Sequence, residues 1–411
     1  MRAAPSLTYV RRAAIGLSVG AVLLTTTGTV AQADEQTPLE RLAASILATA
    51  LPGQPLRVVV TTHTSAAPRI VSTTASSRPE ALKLITAGLS KSSTIGVDIA
   101  HPVAASTTSS KDTYRSKQWA LTRFHAESVW KKSTGTGVVV AVVDTGVRAG
   151  HPDLKGHVLS GKDYVDPGTP ATDQNGHGTH VAGIIAAIAG NHRGVAGLAR
   201  RARILPVRVL DPRGSGSSDD VAKGIIWAAD HGADVINLSL GSTQSDNAER
   251  AAVAYAISKN VVVAAAAGND GCHGGLLGLG RTQPSYPAAY PGVLGVGAIS
   301  SNGALASYSD CGSWVDVVAP GSGIVSTMID HPDSELGCAA GVGYCILSGT
   351  SMATPYASAA AALEIEKLGK GWKAATVQSR MQSSAHNIGA AGRDDASGYG
   401  VIDPLHMLAA N

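Results

Sequence analysis

Residues 138–143 are six consecutive apolar side chains, all β-branched except Ala141, and Asp144 follows them directly. A strand with one face in water alternates polar and apolar residues, so an unbroken run reads as a strand buried on both faces. Such a strand belongs to a parallel sheet covered by helices on each side, which constrains the rest of the chain. The downstream pattern agrees with that expectation. It predicts helices over 180–189, 219–231, 248–258 and 352–368, and strands over 204–210, 235–240, 261–266 and 293–298. Strands and helices in turn make a doubly wound, mostly parallel α/β sheet. In such sheets functional groups gather at the carboxyl ends of strands, so reactive residues just after apolar runs carry the most information.

Composition supports a closely packed core. Of 411 residues, 44% are hydrophobic, yet Phe occurs once, at Phe124. The core is therefore built from Ala, Val, Ile and Leu with much Gly, which suits a parallel sheet better than an aromatic-rich sandwich. The length allows one large domain with accessories. A formal net charge of +3 without a long basic run argues against nucleic acid as a partner.

Residues 1–33 read as an export signal. Arg2, Arg11 and Arg12 precede an uncharged, largely apolar stretch over 13–30, and Ala31-Gln32-Ala33 fits a small-x-small cleavage site, which sets Asp34 as the first residue after cleavage. Thr25, Thr26, Thr27, Gly28 and Thr29 dilute the stretch, so it makes a poor membrane anchor. No second apolar span follows, and the expected product is secreted and unanchored. Four cysteines in an exported chain suggest two disulfides, with three connectivities open. Cys338 and Cys345 lie close together around residues 341–343, which favours a hairpin bridge between them and leaves Cys272 with Cys311.

Residues 34–105 form a separate segment. An amphipathic stretch over 38–50, strands over 56–62, 69–74 and 93–100, and a helix over 79–89 describe a small α+β unit. Residues 104–111, rich in Ser and Thr, follow as an exposed linker open to proteolysis. The main domain is expected over 106–411.

Three sites stand out in that domain. Asp144 ends the apolar run, where a buried carboxylate needs a partner. His177 sits in Asn175-Gly176-His177-Gly178-Thr179-His180, a glycine-flanked turn entering a helix. Ser351 sits in Ser348-Gly349-Thr350-Ser351-Met352-Ala353-Thr354-Pro355, where a glycine turn feeds a helix and Pro355 is expected in its first turn. A serine hydroxyl becomes a nucleophile with a base in reach and a carboxylate to orient that base. At a helix start, Ser351 also offers its own N–H to a developing oxyanion.

On these three blocks the chain resembles the subtilisin-like serine peptidases, over about 112–411, with Asp, His and Ser in that family's chain order. The resemblance implies a secreted serine endopeptidase acting through Asp144, His177 and Ser351 by way of an acyl-enzyme. It makes Asn269 an oxyanion donor, within Ala266-Ala267-Gly268-Asn269. It implies that Ser239, Leu240 and Gly241 pair with an extended polypeptide substrate, and that Ala267, Gly268, Tyr286, Pro287 and Ala288 line the substrate site. Asp270 would bias the pocket beside Asn269 toward positive or polar substrate residues. Activity is expected to rise as pH passes about 6.5 to 7, because the base must be neutral. His180 reads as a supporting or packing residue, since no third ligand follows at metal-site spacing. The resemblance requires no cofactor for the chemistry, and it maps a structural calcium site onto Asp153 and Asn191, joined by Asp112. The Cys272–Cys311 pairing matches a disulfide of some relatives and would tie residues 271–283 to a strand region at 309–315. Residues 34–105 would be a propeptide that inhibits its own enzyme, and the enzyme a monomer. Two rival readings are a catalytically dead binding protein of the same fold and a processing peptidase held by a C-terminal membrane span.

Overall fold

The computed structural model describes residues 37–50, 55–64, 69–100, 112–272, 283–329 and 343–410. The expected leader, the linker at 104–111, most of the segment 271–283 and Cys338 fall outside them. Contacts divide the chain into two units, Met1–Ser106 and Thr107–Asn411.

The first unit opens with helix α1 (Pro38–Ala48), whose start is a reciprocal cap. The Thr37 hydroxyl accepts the Glu40 N–H, and the Glu40 carboxylate accepts the Thr37 N–H at 2.7 Å. Strands β1 (Leu56–Thr62) and β2 (Arg69–Ala75), helix α2 (Arg78–Leu89) and strand β3 (Thr94–Ile99) follow. The strands form an antiparallel sheet in the order β2-β1-β3. Ala43, Leu47, Val58, Ala81, Ile85 and Val97 make its small core. Each expected element of this unit is present, with ends moved by at most two residues.

The second unit begins with two short helices, α3 (Trp119–Arg123) and α4 (Ala126–Val129). Its centre is a seven-stranded sheet of β4 (Val139–Asp144), β5 (Lys162–Asp163), β6 (Arg203–Arg208), β7 (Val235–Leu238), β8 (Val262–Ala266), β9 (Leu294–Ile299) and β10 (Val317–Pro320). The order is β10-β9-β8-β7-β4-β6-β5, and every pairing is parallel. Helices α5 (His177–Ala186), α6 (Ser218–Asp230), α7 (Asn247–Ser258) and α8 (Thr350–Leu368) cover it. Successive β4 side chains point to opposite faces, as a strand requires. Val140 and Val142 join the cluster holding residues of α5 and α8, while Ala141 and Val143 join the one holding residues of α6 and α7. The doubly wound α/β class is therefore the observed one. The chain runs from β4 outward to β6, then returns across β4 to β7. That reversal leaves a crevice at the carboxyl ends of β4 and β7, where such sheets bind ligands.

Several elements were not foreseen. Strands β5 and β10, the antiparallel ribbon of β11 (Ile324–Thr327) and β12 (Tyr344–Leu347), and helix α9 (Ala374–Ser383) lacked a clear period, whereas the short helix α10 (Pro404–Met407) stands where one is expected after residue 401. Residues 309–315 are not a strand, since β10 starts only at Val317. Pro355 is not in the first turn, because α8 begins at Thr350 and Pro355 is its sixth residue. A proline there donates no N–H to the carbonyl four residues back, which is that of Ser351. The Ser239 hydroxyl fills the vacancy, donating to Ser351 O at 2.8 Å.

Candidate active site

Asp144 ends β4 with no exposed surface. Its Oδ1 accepts the Thr145 N–H at 2.7 Å, and both its oxygens face His177 Nδ1, at 2.8 and 2.9 Å. His177 is the first residue of α5, after Gly176 in the left-handed region at φ 112°. Helix α5 lies close against the β4 end, and Gly178 permits it: a Cβ there would sit 2.2 Å from Gly146 O. Burial opposes protonation of His177, but the charge of Asp144 and its hydrogen bond outweigh it, with a smaller contribution from Asp173. The imidazole pKa is thereby raised above its usual 6.5.

Asp173 carries the turn on which His177 sits. Its Oδ1 accepts from the Thr145 hydroxyl and the N–H groups of Asn175 and Gly176; its Oδ2 accepts from the N–H and hydroxyl of Thr179. Sequence reasoning missed this residue. The one available signal was its position two residues before Asn175, typical of a carboxylate bonding to backbone N–H groups ahead of it.

Ser351 is the second residue of α8, so its N–H is one of the donors that a helix start leaves without an internal partner. Its Oγ donates to Ser239 O at 3.1 Å, and no hydrogen bond joins it to His177. Ser239 and Ser351 are thus paired twice. Asn237 Nδ2 donates to Ser239 Oγ at 2.9 Å, and the Ser358 hydroxyl donates to Asn237 Oδ1 at 2.9 Å, which extends the chain into α8. Asn269 follows β8. Its Oδ1 accepts both the N–H and the hydroxyl of Thr350, at 2.8 and 3.0 Å, and its NH2 makes no hydrogen bond among the described residues. Asn269 and Ser351 line one pocket of about 200 Å³ with Gly268, Asp270, Ser285 and Asp310.

The loop carrying Asn269 rests on Asp310, another residue the sequence did not single out. Asp310 Oδ1 accepts the Asp270 N–H at 2.6 Å, and the Asp310 N–H donates to Gly268 O at 3.1 Å. Gly268 has φ 112°, and a Cβ there would meet Asp310 Oδ2 at 1.9 Å. Burial, with the nearby Asp270 charge, raises the Asp310 carboxyl to about 6. Beside it, Cys272 and Cys311 form a disulfide with Cα atoms 4.9 Å apart. The Cys338–Cys345 pairing involves Cys338, outside the described residues.

Ser239, Leu240 and Gly241 run on past the β7 ladder. Leu240 and Gly241 make no backbone hydrogen bond among the described residues, so they present a free extended edge. Tyr286 pairs with Ser242 as an isolated antiparallel bridge. Pro287, Ala288 and Ala267 are buried behind it, while the Ser285 Oγ lies where a Gly241 Cβ would go. A cleft of about 650 Å³ is lined by His177, Ser239, Leu240, Gly241, Tyr286 and Glu249.

His180 is fully buried, with Nε2 at 3.1 Å from Ile324 O and 3.2 Å from Cys345 O. Burial lowers its pKa to about 3, so it is a neutral packing residue. Among the described residues no group of three or more His, Cys, Asp or Glu gathers as a metal site. Asp112, Asp153 and Asn191 do come together. Asn191 Nδ2 donates to Asp153 Oδ1 at 2.8 Å, the Val195 N–H to Asp153 Oδ2 at 2.9 Å, and the Gly190 N–H to Asp112. Burial raises the Asp112 pKa, and the Asp153 charge adds to it. The two buried carboxylates lie near enough for one charge to act on the other, and carboxylate oxygens are the donors a hard cation takes, while the Asn191 oxygen accepts the Arg193 N–H.

The family model for the subtilase family of peptidases matches residues 135–400. Thermitase from Thermoactinomyces vulgaris is 42% identical over 285 residues, covering 69% of this chain and 94% of that protein. Subtilisin E from Bacillus subtilis is 43% identical over 257 residues, 62% of each chain. A solved protease from Pseudoalteromonas arctica PAMC 21717 superimposes with a TM-score of 0.63 at 31% identity, covering 73% of this chain and 98% of that one. A family model matched over residues 135–400, with relatives more than 40% identical over most of their own length, places this protein in the subtilase family, as a serine endopeptidase.

Proposed function

We propose that the protein is a secreted endopeptidase, made as a zymogen, that cleaves polypeptides through Asp144, His177 and Ser351. The observation that carries this reading is the two-oxygen contact of Asp144 with His177 Nδ1. That contact fixes the proton on Nδ1 and leaves Nε2 as the basic nitrogen facing the cleft. Rotation of the Ser351 side chain away from Ser239 O brings its hydroxyl to Nε2. His177 then takes the hydroxyl proton as Oγ attacks the peptide carbonyl, and Asp144 stabilises the imidazolium. The tetrahedral oxyanion is received by the Ser351 N–H and the Asn269 NH2. His177 protonates the leaving amine, and water releases the acyl group by the same steps in reverse. Because the base works neutral and its pKa is raised, kcat/KM climbs with pH through a midpoint above 6.5.

The substrate lies extended along Leu240 and Gly241, adding a strand to an edge that has none. The 34–105 segment acts as an inhibitory propeptide. Its β2 is exposed along nearly its whole length, with Ile70 and Val71 among the uncovered side chains. A calcium ion held by Asp112, Asp153 and Asn191 supplies stability and takes no part in the chemistry. No helix among the described residues is long and apolar enough to cross a membrane.

One experiment tests the core of this reading. Wild type and Ser351→Ala are expressed as full chains, and the culture medium is treated with a fluorophosphonate probe. The probe is expected to label wild type alone, whose N-terminus lies beyond residue 105, while Ser351→Ala keeps the upstream segment. Peptidase turnover by Ser351→Ala excludes this nucleophile, and active enzyme starting at Asp34 excludes the propeptide.

A further inference from the structure

The cleft contains a charged side chain that the mechanism does not use. Glu249, in the first turn of α7, lines the same cavity as His177, Leu240 and Gly241 and is only 5% exposed. A carboxylate so placed needs donors. Its Oε2 lies 3.2 Å from the Tyr290 hydroxyl, which has a single proton to give. The Asp246 carbonyl competes for that proton at 2.9 Å, and the Asp246 N–H already donates to the phenol oxygen at 2.7 Å. Glu249 Oε1 has no hydrogen bond among the described residues.

Among the described residues no cation pairs with it. Arg213 lines the same cleft without an ion pair to Glu249, and Arg250 turns to the Ser245 hydroxyl at 2.8 Å and the face of the Tyr290 ring. Among the described residues, the charge that bears on Glu249 is the like charge of Asp246, whose Oδ1 caps the helix through the Glu249 N–H. The cavity that Glu249 lines sets the apolar side chains of Leu240, Val221 and Tyr286 among polar ones, with small side chains in Ser217 and Ser218. Apolar surface in the same cavity as an unpaired buried acid is complementary to a long aliphatic stem ending in a positive charge.

We propose that Glu249 is a specificity-determining residue of this cleft, part of a subsite that takes a lysine or arginine side chain of the polypeptide substrate. The proposal rests on the peptidase reading and deepens it by naming a substrate class. The subsite is distinct from the pocket of Asn269 and Ser351, which Glu249 does not line. The incoming cation gives Glu249 Oε1 the charge-assisted hydrogen bond that the protein leaves unmade.

The test uses the active enzyme and internally quenched peptides in which each position flanking the scissile bond is in turn Lys, Arg, Gln, Leu or Glu. At one position wild type is expected to favour Lys and Arg over Leu by about tenfold or more in kcat/KM, the scale of a charge-assisted hydrogen bond made in a desolvated site. Glu249→Gln and Glu249→Leu are expected to bring that ratio close to one while leaving the ratios at other positions alone. Each ratio is taken within one enzyme preparation, so a loss of folded protein cancels. Absence of any such position in wild type overturns the proposal, as does a Glu249→Gln enzyme that keeps the preference. Failure of wild type to cleave any peptide overturns the peptidase reading itself, and is distinguishable from both.

Discussion

Tying the Asn269 carbonyl oxygen to Thr350 leaves the amide only one way to face, with its NH2 toward the pocket beside Ser351. A donor aimed in advance contributes to catalysis because it needs no reorganisation when the oxyanion forms. Asn269→Ala is therefore expected to lower kcat by roughly 100- to 1000-fold, the range for loss of one such donor in a subtilisin, with KM changed far less. Steady-state kinetics on a single peptide checks this, and a variant altered mainly in KM would point to ground-state binding instead. Asp144, His177 and Ser351 drew attention in the sequence because each stands at the end of an apolar run or in a glycine turn entering a helix, where local chemistry is distinctive, whereas Asn269 was named only through the family resemblance. Asp173, Asp310 and Glu249 were not. Each is one acid among polar loop or helix residues, and its role depends on partners that only the tertiary fold supplies: Thr179, Gly268 and Tyr290 respectively.

At the scale of elements, α7 illustrates a helix whose first turn serves two purposes. Asp246 caps it through the Glu249 N–H, a contact that typically stabilises a helix by about 1 kcal/mol. The side chain of Glu249 itself opposes stability when ionised, because burial, together with Asp246, raises its pKa from 4.5 to about 7. Between those two values the folded protein holds a proton that the unfolded chain has lost. Stability from this group accordingly falls as pH rises from about 4.5 through 7, then stays low. Glu249→Gln removes the ionisation, so its melting temperature relative to wild type should be higher at pH 8 than at pH 5. Calorimetry of both proteins at the two pH values measures it, and an equal difference at each would mean the carboxyl is not held protonated. Helix α8 shows the limit of local reading. A proline was expected in the first turn, where its missing N–H costs nothing. It instead sits deeper and leaves Ser351 O to the Ser239 hydroxyl, an exchange visible only once β7 and α8 are adjacent.

Over the second unit, the alternation of strands and helices implied a doubly wound parallel sheet but not its strand order, and the tie that joins distant loops was expected only through the family resemblance. Asp112 lies at the start of the described part of this unit, Asp153 beyond β4, and Asn191 beyond α5, yet the three meet at one place. N–H groups satisfy part of the two carboxylates' hydrogen-bonding capacity but leave one charge acting on the other, which burial makes costly. A bound cation removes that repulsion in the folded state alone, and so stabilises by about 2.7 kcal/mol at a hundredfold excess over its Kd. Chelation with EDTA is expected to lower the melting temperature by several degrees, and added calcium to restore it. Asp112→Asn, which removes one of the charges, should melt at nearly the same temperature with either addition. Initial peptidase rates at 25 °C should be the same in EDTA and in calcium for as long as the protein stays folded, since the ion lies apart from the proton path through His177. Identical melting of wild type under both conditions would mean that the N–H donors alone neutralise the pair, and that the loops are held without a metal.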